Sequence, residues 1–315
     1  MVDMTPGSPD SIKLILVAGP TAAGKTALAI ELARKYDGEI IHADSRQVYR
    51  YMDIGTAKPT GSQRKAVRHH LLDVVNPDQA FSAGEFLRLA GQKITQIAAS
   101  GRTVIVEGGT GLYLRTLTDG LVDNPPRDEV IMRSLKNEVQ ERGLDFLYNQ
   151  LKEVDRESAS RINRSDEFRI IRALEVWRQT GQPVSAWRKK FTRKPPYDCL
   201  VLGITQDRKE LYERINRRVE LMIKSGWVDE VKELLNKGYK PDAPGMLAVG
   251  YRQLAAYLAG ELSREKAVEL IKRDSRRFAK RQLTWFRKVK QVIWLDQNPP
   301  EFPGNLYKTV ENWLH

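Results

Sequence analysis

Cysteine is almost missing from this chain. One residue, Cys199, stands among 315, which excludes an internal disulfide and any zinc site built on cysteine pairs. It sits in the apolar run Cys199-Leu200-Val201-Leu202-Gly203-Ile204 and reads as a small core residue. Histidine is scarce too, with four in all. His69 and His70 adjoin, but nothing nearby completes a metal set, so they read as structural or surface residues. No apolar run is long enough to span a bilayer, and no basic start followed by an apolar middle marks a signal peptide. The cytosol is therefore the default, with no membrane partner. Internal repeats and low-complexity segments are also lacking, and the first ten residues, with two prolines and a glycine, read as a loose tail.

Acidic residues are in deficit: 40 Asp and Glu face 52 Lys and Arg, a net charge of +12. The surplus is concentrated. Arg156 to Lys194 holds eleven basic residues against four acidic ones, and Arg264 to Lys290 holds eleven against three. The remainder of the chain is slightly acidic. Basic clusters rich in arginine and interleaved with aromatics are how a nucleic-acid footprint looks in sequence. The plainer alternative is a pair of solvated helix faces. At 315 residues, 41% of them hydrophobic, the chain has room for a sizeable core and two domains.

The chain is organised around Gly19-Pro20-Thr21-Ala22-Ala23-Gly24-Lys25-Thr26, which fits the pattern G-x-x-x-x-G-K-[ST]. Lys13 to Ala18 reads as a buried strand ending at the first glycine, and Thr26 to Ala33 follows with good helix formers. Strand, glycine loop and helix N-terminus together aim N–H groups and a positive dipole end at an anion. Lys25 would reach the outer phosphates, and the Thr26 hydroxyl would hold Mg²⁺. The loop specifies a polyphosphate or a diphosphate and does not by itself say ATP, so nucleotide and ATP binding are expected only as functions such a loop serves.

A second strand, Glu39 to Ala43, leads into Asp44-Ser45-Arg46-Gln47-Val48-Tyr49. In an open α/β sheet ligands gather at the carboxyl ends of strands, which places Asp44 near the loop; the alternative is an N-cap for a short helix. Ser82 caps a helix from about Ala83 to Ser100. Thr103 to Glu107 is another buried strand, ending in Gly108-Gly109-Thr110-Gly111-Leu112-Tyr113. The two glycines would let backbone approach a ligand closely, or make a tight turn. Two proline breaks, at Asn124 to Asp128 and at Lys194 to Tyr197, then enclose a stretch with helical periodicity only, in which a clear helix starting at Ser165 or Asp166 carries Arg169 and Arg172. The expected organisation is an α/β fold: a P-loop NTPase-like parallel sheet flanked by helices (residues 1–127 and 197–315) with an all-helical insertion domain (128–196). Beyond the insertion, Arg214 and Arg218 share a helix face, Gly245 to Arg252 reads as a glycine-bounded loop, and a long basic helix spans about Arg264 to Lys288. Gln291 to Leu295 is the final strand.

In combination these pieces resemble the tRNA dimethylallyltransferases, also called tRNA isopentenyltransferases. The resemblance runs from about Leu14 to Leu295. It is carried by the glycine loop, by Asp44 to Tyr49, Met52 to Pro59, Gly108 to Tyr113, Arg172 to Val176, Val249 to Arg252 and Lys280 to Arg287, in that order. It implies transfer of a dimethylallyl group from dimethylallyl diphosphate to the exocyclic N6 amine of the adenosine just 3′ of the anticodon, in tRNAs reading codons that start with U. Asp44 would be the general base, with Thr110 and Arg218 as further catalytic residues. Gly19, Pro20, Thr21, Ala22, Ala23, Gly24, Lys25, Thr26 and Arg214 would hold the diphosphate, with Mg²⁺ as cofactor on Thr26. The tRNA anticodon stem-loop would meet Asp44, Ser45, Arg46, Gln47 and Thr110. It would also meet Arg133, Phe168, Arg169, Ile170, Ile171 and Arg172 in the insertion, and Gly250, Tyr251, Arg252, Lys280, Arg281, Gln282 and Arg287 further on. Eukaryotic members often carry a zinc finger at the C-terminus, so this cysteine-poor chain fits the bacterial form, taken as a monomer.

Three alternatives remain from the residues alone. A small-molecule kinase would share the loop and sheet, but the third strand ends in Glu107-Gly108-Gly109 where many such enzymes place a Mg²⁺-binding Asp. An adenylate isopentenyltransferase would act on a free nucleotide. A non-catalytic RNA-binding module would not need Asp44.

Overall fold

Leu14 to Ala18 are fully buried in β1 (Ile12–Ala18) of the computed structural model, which describes residues 11–122, 125–193, 197–289, 292–296 and 302–314. Alternate residues of a strand face opposite sides of the sheet. Leu14 and Leu16 therefore pack with Phe86 and Ile94 on one side, and Ile15 and Val17 with Leu28 and Leu32 on the other. A strand apolar on both faces belongs in a parallel sheet covered on both sides.

The other strands are β2 (Gly38–His42), β3 (His69–His70), β4 (Thr103–Gly108), β5 (Leu121–Val122), β6 (Thr192–Arg193), β7 (Tyr197–Thr205) and β8 (Val292–Asp296). Six of them form one sheet in the order β3-β2-β4-β1-β7-β8, with every pair parallel. The helices are α1 (Lys25–Lys35), α2 (Gly61–Ala66), α3 (Ala83–Ala99), α4 (Gly111–Thr118), α5 (Glu129–Arg142), α6 (Leu144–Val154), α7 (Arg156–Arg161), α8 (Glu167–Thr180), α9 (Val184–Phe191), α10 (Arg208–Lys224), α11 (Trp227–Asn236), α12 (Tyr251–Leu258), α13 (Arg264–Phe286) and α14 (Phe302–Leu314). Ser82 and Glu85 form a capping box at the start of α3, as the sequence suggests. The sequence reading did not single out α11 and α14, or the two-residue β3. The last is too short to carry a periodic signal.

The chain divides into two compact units, Gly120–Lys194 and the remainder. The smaller unit begins at Gly120, earlier than the expected boundary at 128, and it is not all helical. Leu121 pairs with Arg193 and Val122 with Thr192 in an antiparallel ladder, so the entering and leaving segments satisfy each other's backbone groups. Its core is built from Leu135, Leu147, Leu151, Ile170, Leu174 and Val176. Arg178 grips Glu138 with two hydrogen bonds of 2.6 and 2.9 Å, and that pairing holds the Glu138 carboxyl below its ordinary range. In the larger unit a third apolar cluster joins Val48, Tyr49 and Met52 to Trp227, Met246, Tyr251 and Leu254. The segment after β2 is thereby packed against the C-terminal helices. Among the described residues no helix is long and apolar enough to cross a membrane.

Candidate active site at the carboxyl ends of the strands

Gly24 has φ +91° and Ala22 φ +64°, so the glycine loop turns through two left-handed residues before α1. Successive N–H groups in such a turn converge on one point. The start of α1 has no side-chain cap, which leaves its first N–H groups available to an anion. Lys25 donates from Nζ to the Pro20 carbonyl at 2.9 Å. Burial pushes its ammonium pKa down, the carboxylates of Glu107 and Asp44 oppose that shift, and Arg218 adds to it. Arg218 is likewise lowered by burial, opposed by Asp44 and Glu107 and reinforced by Arg214. Two cations and two carboxylates thus share one electrostatic neighbourhood.

A cleft of about 380 Å³ lies over the loop, lined by Gly24, Lys25, Thr26, Arg214, Arg217, Arg218 and Leu221. Both expected arginines are there. Arg217 joins them and was missed by the sequence reading. Its position three residues after Arg214 on a helix was the available signal. A second cavity of about 350 Å³ is lined on its polar side by Thr21, Asp44, Arg46, Thr56 and Arg218. Its apolar wall comes from Ile215, Val219, Met222, Trp227, Leu247 and Phe278, and Arg252 and Arg281 also border it. Arg218 belongs to both spaces.

Asp44 does cap the chain locally, although no helix follows. Its Oδ1 accepts from the N–H groups of Arg46 at 2.8 Å and Gln47 at 3.3 Å, which leaves Oδ2 outside the turn. The Thr110 hydroxyl oxygen accepts from the Ser45 N–H at 2.9 Å, so Thr110 fixes the residue next to Asp44. Gln47 is buried, and its amide donates to the carbonyls of Thr56 at 3.2 Å and Ala57 at 3.1 Å.

The glycines at the end of β4 make room for neighbouring protein. A Cβ on Gly108 would stand 2.2 Å from the Ala43 carbonyl oxygen, and one on Gly109 would stand 2.3 Å from Gln282 Nε2. Gln282 is accordingly buried and is not a surface contact. It accepts the Thr21 N–H at 2.9 Å and donates to the Gly109 carbonyl at 2.8 Å. Other expected RNA contacts also turn inward. Tyr251 lies in the first turn of α12 and not in a loop; it is fully buried, with its hydroxyl on Glu230 at 2.5 Å. Gly250, at φ +98°, makes room for the Trp227 ring, which a Cβ would approach to 2.0 Å. Ile170 and Ile171 are core residues of the smaller unit, where Arg172 pairs with Glu175 at 2.8 Å. In that unit Arg133, Phe168 and Arg169 are exposed, and the Arg127 guanidinium lies 5.1 Å from the Phe168 ring centre. Arg252, Lys280, Arg281 and Arg287 are exposed in the larger unit.

Behind the loop, Thr26 Oγ1 donates to Glu107 Oε1 at 3.2 Å. Burial would raise the Glu107 pKa, but its contact with His42, the charge of Lys25 and the Thr26 hydroxyl outweigh that and hold it low. Of the two readings offered for His69 and His70, the structural one holds: both are half-buried, with His69 on His42 and His70 on Glu39. Among the described residues no group of three or more His, Cys, Asp or Glu could enclose a metal. The oxygens of Thr26 and Glu107 beside an anion cleft suit Mg²⁺, which takes few protein ligands and completes its shell with water and phosphate.

A glycine loop at the carboxyl ends of a parallel sheet, with arginines and a carboxylate converging on it, defines a P-loop NTPase-like α/β protein of the group-transfer kind. Residues 47–289 match the family model described as IPP transferase, and the chain belongs to that family. It is 51% identical over 288 residues to a tRNA dimethylallyltransferase 2 of Geotalea uraniireducens, covering 91% of this chain and 93% of the relative. It is 46% identical over 311 residues to a tRNA dimethylallyltransferase of Geobacter metallireducens, covering 97% and 99%. Among solved structures, the tRNA isopentenylpyrophosphate transferase of Bacillus halodurans superposes with TM-score 0.71 at 38% identity, over 96% of this chain and 95% of that one. A eukaryotic dimethylallyltransferase, captured in crystals acting on tRNA, gives TM-score 0.83 at 28% identity, over 96% and 80%.

Proposed function

We propose that this chain transfers a dimethylallyl group from dimethylallyl diphosphate to the N6 amine of the adenosine 3′-adjacent to the anticodon, in tRNAs reading codons that begin with U, and releases diphosphate. The observation that carries the reading is the double membership of Arg218: it lines the anion cleft over the glycine loop and also the cavity that holds Asp44 and an apolar wall. A donor with its diphosphate in the first space and its five-carbon tail against the wall of the second would present its reactive carbon near Asp44.

The adenine amine is a poor nucleophile because its lone pair is delocalised into the ring. As the new N–C bond forms, Asp44 takes the amine proton through the oxygen that the turn leaves available. The C–O bond to diphosphate breaks, and negative charge grows on the departing group. Loop amides, Lys25, Arg214 and Arg218 stabilise it in a site where burial strengthens each contact. Mg²⁺ on the Thr26 hydroxyl would supply further neutralisation of that charge. The target base must leave its stack to reach the cavity, which a single-stranded loop permits. The exposed Arg252, Lys280, Arg281 and Arg287, and in the smaller unit Arg133, Phe168 and Arg169, offer cationic and stacking contacts to such a loop. A tRNA substrate would place the activity in the cytoplasm.

Incubation with labelled dimethylallyl diphosphate, Mg²⁺ and unmodified tRNA, followed by nucleoside mass analysis, tests the reading. Label in N6-prenylated adenosine without ATP is expected. Transfer only to free AMP, or a strict need for ATP, would refute it.

A further inference from the structure

Glu230, in the first turn of α11, spends both carboxylate oxygens on one loop and one ring. Oε2 accepts from the backbone N–H groups of Asp53 at 2.8 Å and Ile54 at 2.7 Å. Oε1 accepts from the Gly55 N–H at 3.2 Å and from the Tyr251 hydroxyl at 2.5 Å. Burial first, and the Glu230 charge second, push the Tyr251 hydroxyl well above its ordinary range, so it stays a donor. Successive N–H groups aimed at one point make a nest for an anion. Here a carboxylate 175 positions further along the chain fills it.

The loop does not take this shape by local preference. Ala57 stands at φ +53°, in the left-handed region that a Cβ disfavours. Such a residue persists only where its surroundings over-determine the backbone. Other groups of the loop are tied down too. The Ala57 N–H bonds to the Ile54 carbonyl at 3.0 Å, and the Lys58 N–H to the Asp53 carbonyl at 3.1 Å. The buried Lys58 ammonium reaches the Asp53 carboxylate and the Tyr49 carbonyl, each at 2.7 Å. What the loop then presents is a pair of carbonyls, those of Thr56 and Ala57, and both accept from Gln47 Nε2. The Gln47 backbone N–H in turn donates to Asp44 Oδ1 at 3.3 Å. Gly55, Thr56 and Ala57 also line the cavity that holds Asp44. A hydrogen-bonded path therefore runs from α11 through the loop and Gln47 to the Asp44 carboxylate.

We infer that Glu230 is a positioning residue for the base: it fixes the loop from Asp53 to Ala57, and through Gln47 that loop sets where the Asp44 carboxylate stands in the cavity. This rests on the reading above, in which Asp44 takes the amine proton. A carboxylate is the group the nest requires, because all four of its partners are donors. A glutamine could satisfy Asp53 and Ile54 with its oxygen only by turning its NH₂ against the Gly55 N–H.

The test is single-turnover transfer from labelled dimethylallyl diphosphate to unmodified tRNA by the full chain, with the Kd for inorganic diphosphate measured alongside. E230A is expected to slow transfer by about tenfold to 10²-fold, the scale of a misplaced reacting group. The diphosphate Kd should stay at the wild-type value, since other residues line the anion cleft. Sodium formate, a carboxylate small enough for the vacated nest, is expected to restore rate, and formamide is not. In the D44N background, where the base is already lost, E230A should cost about twofold or less. E230Q, judged by rate, Kd and the D44N comparison, decides the matter if E230A shows no cooperative thermal transition. A wild-type rate in either folded variant overturns the inference alone. So does a matching loss of diphosphate affinity, a failure of formate to relieve E230A, or a full further loss in D44N. Absence of prenyl transfer by the wild type overturns the reading beneath it, and the inference falls with that reading.

Discussion

Thr21 donates its backbone N–H to Gln282 Oε1 at 2.9 Å, across 261 positions of chain. The other end of the same amide holds the Gly109 carbonyl at 2.8 Å. One buried side chain on α13 therefore ties the glycine loop to the turn that carries Thr110. Q282L would leave an N–H and a carbonyl without partners, at about 1–3 kcal/mol each. A lower thermal midpoint and weaker diphosphate binding are expected together. A normal midpoint with selective loss of tRNA affinity would instead make Gln282 an RNA contact.

Asp44 divides its labour between a turn and a proton. D44N keeps an acceptor for the N–H groups of Arg46 and Gln47 but loses the base. Single-turnover transfer should fall by about 10²–10⁴-fold, with tRNA binding in a filter assay unchanged. A loss below tenfold would remove Asp44 from the chemistry.

Arg218 and Arg217 are neighbours with different surroundings, the first part-buried and the second exposed. R218Q should lower the chemical step by about 10²–10³-fold, the scale of losing one preorganised donor to a developing anion. R217A should raise the diphosphate Kd only a few-fold, on the order of an exposed ion pair, and that effect should shrink in high salt. Equal losses in the two variants would contradict the assignment.

G250A adds a methyl that meets the Trp227 ring, at a residue with φ +98°. Overpacking and backbone strain together cost about 2–5 kcal/mol. Urea unfolding should register the loss, while tRNA affinity of the folded protein stays at the wild-type value. The converse pattern would restore Gly250 to the RNA surface.

Burial, aided by the neighbouring His42, pushes His69 down to about 4 from an ordinary 6.5. The unfolded chain binds this proton below about pH 6.5, whereas the folded chain does not until near 4. The unfolded state then holds more protons, so stability falls as pH drops through that window. Glu107, held below its ordinary value, adds a loss at the acid end. Urea midpoints between pH 7 and 4 should fall for the wild type and less steeply for H69Q. Parallel slopes would refute the buried-histidine account.

Much of this was legible beforehand because it is local. The strand, glycine loop and helix around Gly19 to Thr26 are written in contiguous residues, as is the capping box at Ser82. The pairing of Arg214 with Arg218 follows from helical spacing alone. Contiguous motifs misled where successive residues point in different directions. Arg169 faces solvent while Ile170 and Ile171 enter a core, and Tyr251 is buried while Arg252 is exposed.

By itself the sequence determined the parallel α/β class, the anion loop and the concentration of positive charge, since periodicity, glycine placement and composition act over short stretches of chain. Tertiary structure decided which side chains meet. His42, His69 and Glu107 lie on three strands, and only the register that sets Ile40 beside His69 and His42 beside Glu107 brings them together. Likewise only the docking of α13 delivers Gln282 to Thr21. Such contacts depend on how the sheet pairs and what packs on it, and no local pattern encodes that.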